Sequence, residues 1–344
     1  MFTKNKPTIG LGLLVAASWG CGRSPQPGPT PLAALVPPGV VLAATPAENP
    51  QFSWITLGTQ SGPIPDAERS EPANLLVVKG KPWIVDCGDG AMEQLAVAGF
   101  KPAQVDTAFI SHLHMDHIGG LQALIGLRWF TGANNVLTIY GPPGTDVVVT
   151  GILQSLRPSV QIGLGVGLQA PTPEQLTRVV IVKDGSDLNV DGVRVRTVRN
   201  SHFDDPPGHP VDDRSQSLSY RFDYDGYGIG FTGDTGPSDA VAHLEQGADL
   251  LVSEVMDVPA MVAFFTQNAK FPPQAKAAIA QHFETQHLTP QEAGKIAADA
   301  GVRRLVFTHL GILGTTDAAA PKLIREAHET FKGEVIVAHD LDRF

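Results

Sequence analysis

The sequence is poor in cysteine, in aromatic residues and in charge. Only Cys21 and Cys87 occur among its 344 residues, aromatic residues make up 7% and charged residues 17%. Two cysteines exclude the disulfide framework that holds many small exported domains together. The fold must therefore depend on buried apolar side chains, and a chain of this length is ample for one large core. Cys87 lies in an apolar, strand-like context, which predicts a buried small residue.

Basic stretches are also absent outside the extreme N-terminus, and the formal net charge is −10. Nucleic-acid-binding proteins usually present a basic face to the phosphate backbone, so the composition argues against nucleic acid as a partner. A local basic patch can nevertheless be hidden in an acidic average. No P-loop and no nucleophile elbow occurs in the chain. Chemistry that depends on those two motifs is therefore excluded.

The N-terminus has the pattern of an export signal. Lys4 and Lys6 precede an apolar run at residues 9–17 that is too short to span a bilayer as a mature helix. Cys21 follows Gly20, as in a lipoprotein signal. Three outcomes stay open: lipidation at Cys21, simple cleavage, and retention as an uncleaved anchor.

The composition divides the chain into three parts. Residues 1–21 are interpreted as the export signal, residues 22–50 as a proline- and alanine-rich tether, and residues 51–344 as the functional domain. This division predicts a periplasmic or extracellular protein. It predicts contact with a membrane only through an N-terminal anchor.

The most informative segment of the chain is Ser111-His112-Leu113-His114-Met115-Asp116-His117. Three imidazoles and a carboxylate within six residues are costly to bury unless a metal organises them. Alternate side chains at a strand end point the same way, so His112 and His114 can share one ion. Asp116 and His117, beyond the turn, can reach a second. Histidine and carboxylate without thiolate suit zinc, with manganese or iron as alternatives.

Three further candidate ligands each follow a strand-like run. They are His202 after residues 193–198, Asp234 after residues 227–231, and His309 after residues 304–308. A strand end holds a side chain rigidly while presenting it to a cleft. The sequence therefore predicts one binuclear site in which a carboxylate and a water are shared.

With this motif order the sequence resembles the metallo-β-lactamase superfamily of binuclear zinc hydrolases. The resemblance covers residues 51–344 and implies a single α/β domain, an αββα sandwich with the site at one edge. It implies the following ligand set: His112, His114 and His202 for one zinc, Asp116, His117 and His309 for the other, and Asp234 bridging.

Shorter segments narrow the resemblance to the ribonuclease Z, arylsulfatase and cyclic-nucleotide phosphodiesterase-like branch. These segments are Ile55-Thr56-Leu57-Gly58-Thr59, Ile84-Val85-Asp86-Cys87-Gly88, Ile139-Tyr140-Gly141-Pro142 and Ser253-Glu254-Val255-Met256. A class B1 β-lactamase has cysteine where Asp234 stands, so that activity is disfavoured. The related enzymes typically carry Ser-His-Thr-Thr where this chain has Gln286-His287-Leu288-Thr289, a departure that puts the substrate chemistry in doubt.

Three residues are predicted to be catalytic. Asp116 would bind metal and orient the attacking hydroxide. His287, a non-ligand histidine by resemblance, would protonate the leaving group, and Glu254 would orient it. Structural roles for His287 and Glu254 remain open as alternatives. The histidine at position 282 falls in a helix-like segment and is interpreted as solvated or partly packed.

The substrate is predicted to be a small anionic ester, either a phosphodiester or an aryl sulfate. Ribonuclease Z enzymes are expected to grip tRNA with a long arm after the third-histidine motif, but only 31 residues separate His202 from Asp234. Export would also remove the protein from tRNA precursors. The alternatives are 3′-tRNA endonuclease activity, lactone or β-lactam hydrolysis, and a non-catalytic metal-stabilised binding protein. Members of this superfamily often dimerise, so a homodimer is also considered.

The coarse pattern of apolar residues alternates strand-like and helix-like runs, as a sandwich requires. Residues 290–300 are predicted to form a helix, because Thr289 and Glu292 make a capping box and Pro290 and Gly301 suit its ends. The stretch between Met256 and His287 is interpreted as an apolar lid over the site or, alternatively, as a helical cap on a sheet edge.

Overall fold

The computed structural model describes residues 51–62, 64–163, 171–204, 212, 214–268 and 270–344. These residues all belong to one compact unit. None of the helices they form is both long and apolar enough to cross a membrane. The predicted export signal at residues 1–21 and the tether at residues 22–50 lie outside the described residues.

The first half of the described chain forms a six-stranded sheet in sequential order. Its strands are β1 (Phe52–Gly58), β2 (Ala73–Val78), β3 (Lys81–Cys87), β4 (Thr107–Phe109), β5 (Leu137–Gly141) and β6 (Thr177–Ile181). Strands β1 to β3 pair antiparallel, and β3 to β6 pair parallel. The parallel part directs the ends of β3 and β4 to the same edge of the sheet.

The second half forms a seven-stranded sheet, ordered β13-β12-β11-β10-β9-β8-β7. Its strands are β7 (Asp187–Val190), β8 (Val193–Arg199), β9 (Leu218–Tyr224), β10 (Tyr227–Phe231), β11 (Leu250–Met256), β12 (Arg304–Gly311) and β13 (Glu334–Val337). Strands β10 to β13 are parallel, whereas β7 to β10 pair antiparallel. The parallel part again directs several strand ends to one edge.

Helices cover the outer face of each sheet. Apolar side chains of α1 (Ala91–Val97), α3 (Leu121–Phe130) and α4 (Thr145–Ile162) pack on the first sheet. Those of α5 (Asp239–Leu244), α8 (Pro290–Ala300) and α9 (Thr316–Ala327) pack on the second. The short helix α2 (Met115–Ile118) lies at the site.

The two sheets face each other across an aromatic core. Trp54, Trp83 and Phe109 of the first sheet and Tyr220 and Phe222 of the second are fully buried in one cluster. Phe109 contacts Phe222 edge to face, with ring centroids 5.2 Å apart. Large rings of this kind bury much apolar area for each residue, so few are needed to join the sheets. The predicted αββα sandwich is confirmed.

Two local predictions from the sequence, the helix at residues 290–300 and the burial of Cys87, are confirmed by the structure. Helix α8 spans Pro290–Ala300 with the capping box at Thr289 and Glu292, as expected. Cys87 is fully buried, and burial raises the pKa of its thiol. Two helices, α6 (Val258–Asn268) and α7 (Pro273–Gln286), occupy the stretch that the sequence left open between a lid and a cap.

Candidate metal centre

Asp86 anchors the loop that carries the histidine-rich segment. Its carboxylate accepts hydrogen bonds from the Ser111 amide and from the Ser111 hydroxyl, both at 2.7 Å. It also lies 2.8 Å from Nδ1 of His117. A proton on Nδ1 leaves Nε2 of His117 free to face the site, which is how a partner beyond the ligand fixes the tautomer. Asp86 stands in the family-like segment Ile84-Val85-Asp86-Cys87-Gly88, but nothing in the local sequence indicates this role.

Backbone geometry explains how Asp86 and His309 reach the site from strands. Each is an extra residue that has no partner in the pairing with the neighbouring strand. Asp86 of β3 lies opposite the step from Ala73 to Asn74 of β2. His309 of β12 lies opposite the step from Glu254 to Val255 of β11. Both have positive φ, 55° for Asp86 and 44° for His309. At a bulge the regular alternation of side chains between the two faces of the sheet is interrupted, so the side chain points in a new direction. The unusual backbone angles cost some free energy.

The first group of candidate ligands comprises His112, His114 and His202, which bring ring nitrogens within 4.8 Å of one another. Nε2 of His202 lies 3.2 Å from Nδ1 of His114. The other nitrogen of His202, Nδ1, is 2.9 Å from the carbonyl oxygen of Gln286, so it donates there. Burial lowers the pKa of His112 and His202, which keeps both rings neutral, as a metal ligand must be.

The second group comprises Asp116, His117, Asp234 and His309, again within 4.8 Å of one another. Nε2 of His309 is 3.1 Å from Asp234 and 3.6 Å from Asp116. Burial favours the neutral ring of His309, but these two carboxylates outweigh it and raise its pKa to about 10. A bound cation would take the place of that proton.

Asp234 stands between the two groups. One carboxylate oxygen lies 3.4 Å from His117 Nε2, and the other lies 3.9 Å from both His112 Nε2 and His202 Nε2. The carboxylate is almost fully buried. This is the place from which one side chain can serve two ions, as the sequence resemblance implies for Asp234.

Several buried nitrogen and oxygen atoms at the centre have no hydrogen-bond partner, as is expected of side chains that bind a metal ion. Among the described residues, Nε2 of His112, His117 and His309 and Oδ1 of Asp234 are buried and make none. Leaving such atoms unsatisfied costs free energy, and they converge on one place. All seven sequence-predicted ligands are brought together there, and their chemistry fits divalent cations.

His287 and Glu254 form a buried pair beside this centre. Nδ1 of His287 lies 2.8 Å from Oε2 of Glu254, and Oε1 of Glu254 accepts the Thr235 amide hydrogen. Burial raises the pKa of Glu254, although His287 opposes that shift. Because Nδ1 of His287 is hydrogen-bonded to Glu254, the other ring nitrogen, Nε2, faces the centre. The pairing predicted from the sequence is present, while its catalytic role stays a prediction.

A cavity of about 560 Å³ opens onto the centre. His114, Asp116, Asp234, His287 and His309 line its floor. Helices α6 and α7 line much of the rest, so the stretch between Met256 and His287 does border the site. His282 of α7 also lines the cavity and is half-buried. The sequence interpretation of His282 missed this contact, because helical spacing alone does not show what a helix packs against.

Comparison with known proteins identifies the family. The β-lactamase superfamily domain matches residues 83–310. A ribonuclease Z from Mycobacterium avium is 32% identical over 297 residues, covering 83% of this chain and 95% of that protein. A ribonuclease Z from Mycobacterium marinum is 31% identical over 260 residues, covering 74% and 85%.

Solved structures agree on the fold. The metallo-β-lactamase-fold protein YhfI from Bacillus subtilis superimposes with a TM-score of 0.61 at 23% identity, covering 85% of this chain and 98% of that chain. The short form of human tRNase Z gives 0.57 at 24% identity, with the same coverage. The chain belongs to the metallo-β-lactamase superfamily. It is a metal-dependent hydrolase of that superfamily, related to proteins named ribonuclease Z.

Proposed function

We propose that this protein hydrolyses phosphodiester bonds as a ribonuclease Z-type endonuclease, cutting precursor tRNA at its 3′ side. The observation that carries the proposal is the similarity to the Mycobacterium avium ribonuclease Z over nearly its full length. The seven candidate ligands support the chemistry, because none is missing or replaced. Cleavage of tRNA was an alternative left open by the sequence, and the similarity to ribonuclease Z favours it over the small anionic ester.

The short interval between His202 and Asp234 first favoured a small substrate, because it leaves no room for a long arm. The Mycobacterium avium protein aligns over 95% of its own length, so no long segment of that relative is missing here. The lack of a long arm therefore does not distinguish this chain from relatives that are named ribonuclease Z. The main argument against that activity loses its force.

The ligand set suits two divalent cations, which we propose to be zinc, with manganese or iron as alternatives. His112, His114 and His202 would hold one, and Asp116, His117 and His309 the other, with Asp234 shared. Bound there, the cations would supply a water nucleophile of lowered pKa and neutralise charge on the phosphoryl oxygens. Asp116 is proposed to accept a hydrogen bond from that water and so orient it.

His287 is proposed to donate a proton to the leaving oxygen. Its Nε2 faces the cavity because Nδ1 is held by Glu254 at 2.8 Å. The buried carboxyl group of Glu254 holds Nδ1 and so fixes the orientation of the ring, which is the support a general acid requires. Neither residue belongs to the two ligand groups described above.

Hydrolysis of a small phosphodiester or aryl sulfate is the second candidate. The observation that favours it is the cavity wall, where no lysine or arginine is among the described lining residues. Polyanionic RNA is usually gripped by such cations, whereas a small ester needs only the centre itself. Lactone or β-lactam hydrolysis has no observation of its own in support.

Cellular location bears on the choice between the candidates. Export to the periplasm or beyond, with membrane contact only through an anchor, is proposed from the N-terminal sequence as part of the second candidate alone. An exported enzyme does not meet precursor tRNA, so export would favour the small ester. A homodimer is proposed on the resemblance alone, and size-exclusion chromatography with light scattering would test it.

The test combines metal analysis with a substrate panel on the full chain. The panel is a precursor tRNA with a 3′ trailer, bis-p-nitrophenyl phosphate, p-nitrophenyl sulfate, a lactone and nitrocefin. Asp234→Asn serves as the inactive control, because it keeps the size of the side chain and removes the proposed bridging charge. About two metal ions per chain are expected, with tRNA cleavage at one defined 3′ position.

Each outcome distinguishes the candidates. Turnover of the small diester or sulfate without tRNA cleavage would move the second candidate to the front. Activity on lactone or nitrocefin alone would keep the centre but overturn both. Absence of bound metal together with absence of turnover would leave a metal-free binding protein as the better description.

A further inference from the structure

Helices α6 and α7 form a lid that is built largely from apolar side chains. Phe265 of α6 contacts Phe283 of α7, with ring centroids 5.4 Å apart. Phe283 in turn lies 6.1 Å from the ring of His287. The Lys276 ammonium donates to the carbonyl oxygen of Thr266, which ties the two helices together. The lid is therefore joined directly to the wall of the centre.

The cavity beneath the lid has two chemically different parts. Its floor consists of the candidate ligands and His287. Its roof and sides are largely apolar, formed chiefly by Met256, Met261, Phe265, Ala278, Ile279 and Phe283, with Ser61 and His282 as polar members of the lining. The volume of about 560 Å³ exceeds what the reacting ester group alone would fill. A second group of the substrate must therefore occupy the apolar part, or the space stays filled with water against apolar walls.

We propose that the lid cavity binds an apolar substituent of aromatic size on the substrate's ester, and that Phe265 and Ile279 determine this specificity. The inference rests on the second candidate function, hydrolysis of a small phosphodiester, and names the substrate class of that site. A ring fits because Phe and Met side chains offer flat and polarisable surfaces to it. A further phosphate would find no lysine or arginine as a partner among the described lining residues.

The experiment compares two matched pairs of compounds. The substrates are methyl p-nitrophenyl phosphate and phenyl p-nitrophenyl phosphate, which share a leaving group. The binding probes are methylphosphonate and phenylphosphonate, which contain no ester bond to hydrolyse, measured by calorimetry on the zinc-loaded full chain. Burial of a phenyl ring predicts a preference of about 10- to 100-fold for the phenyl member of each pair.

Two neighbouring residues provide the matched variants. Phe265 lines the cavity, whereas Phe264 on the same helix is 41% exposed and does not line it. In Phe265→Ala the phenyl preference should fall about tenfold in both binding and kcat/KM, while Phe264→Ala should keep it. Ile279→Ala on the facing helix should also reduce the preference, and turnover of the methyl substrate shows that each variant is folded.

Several results would overturn the inference. Equal binding of the two phosphonates by the wild type would show that the lid cavity takes no apolar group. A preference that survives in Phe265→Ala, or that falls equally in Phe264→Ala, would place its origin elsewhere. If all diesters resist hydrolysis, the proposed function fails, but the phosphonate pair still decides whether the cavity is selective.

Discussion

Replacement of Glu254 by glutamine isolates the contribution of its charge to the proposed proton donor. The carboxylate is 1% exposed and lies 2.8 Å from Nδ1 of His287. Glutamine keeps the size of the side chain and can still accept the Thr235 amide hydrogen, but it removes the carboxylate oxygen that accepts the Nδ1 hydrogen of His287. Metal binding should change little, since Glu254 is not one of the seven candidate ligands.

The magnitude follows from the kind of bond that is lost. A hydrogen bond to a charged group contributes about 1.5–3 kcal/mol, and each 1.36 kcal/mol is a tenfold change in rate. The kcat for methyl phenyl phosphate should therefore fall about 10- to 100-fold. Methyl p-nitrophenyl phosphate, whose leaving group hardly needs a proton, should lose less than about threefold.

The assay is steady-state kinetics on both substrates, with metal content measured on each preparation. Glu245→Gln is the matched control, because Glu245 is another buried glutamate and does not line the cavity. In a His287→Ala background, Glu254→Gln should have little further effect. Equal losses on the two substrates, or an undiminished effect without His287, would refute the reasoning and leave Glu254 a structural role.

Three further predictions test other parts of the molecule. Asp234→Ala should abolish turnover and reduce bound metal, measured by elemental analysis; near-wild-type turnover in excess zinc would contradict a bridging role. His287→Ala should slow methyl phenyl phosphate by about 100-fold or more and methyl p-nitrophenyl phosphate far less; a uniform loss would exclude proton donation. Burial raises the pKa of Glu245 to about 8 despite Arg221 at 3.7 Å. The folded state therefore retains this proton as pH rises from about 4.5 to 8, and wild-type stability falls over that window. Glu245→Gln removes the penalty, so its free energy of unfolding relative to wild type should rise by about 3 kcal/mol between pH 5 and pH 7.5 in urea titrations; a pH-independent difference would show that Glu245 is ionised in the fold.

Much of the candidate site was predictable from residue types and their order. Histidine and aspartate at 112–117, followed by His202, Asp234 and His309 at strand-like ends, are unusual enough to indicate a metal centre. Apolar runs of strand and helix length indicated the layered fold, because burial depends on spacings that are visible along the chain. The capping box at Thr289 was readable for the same reason, since its partners lie three residues apart.

Partners distant in the chain were decided only by the tertiary structure. Asp86 reaches His117 through a bulge at positive φ, and His309 enters the site through another, neither of which leaves a mark in the local sequence. In the sequence, His282 looks like an ordinary residue of a helix. Only the tertiary structure shows that α7 packs beside the centre and that His282 lines the cavity.

The sequence by itself therefore determined the chemistry of the centre, because ligand type and strand-end position are local properties. The contacts that orient those ligands, and the apolar cavity that would select a substrate, depend on which surfaces meet when the two sheets and the lid pack together. Packing of that kind joins residues separated by tens to hundreds of positions. No local pattern records it.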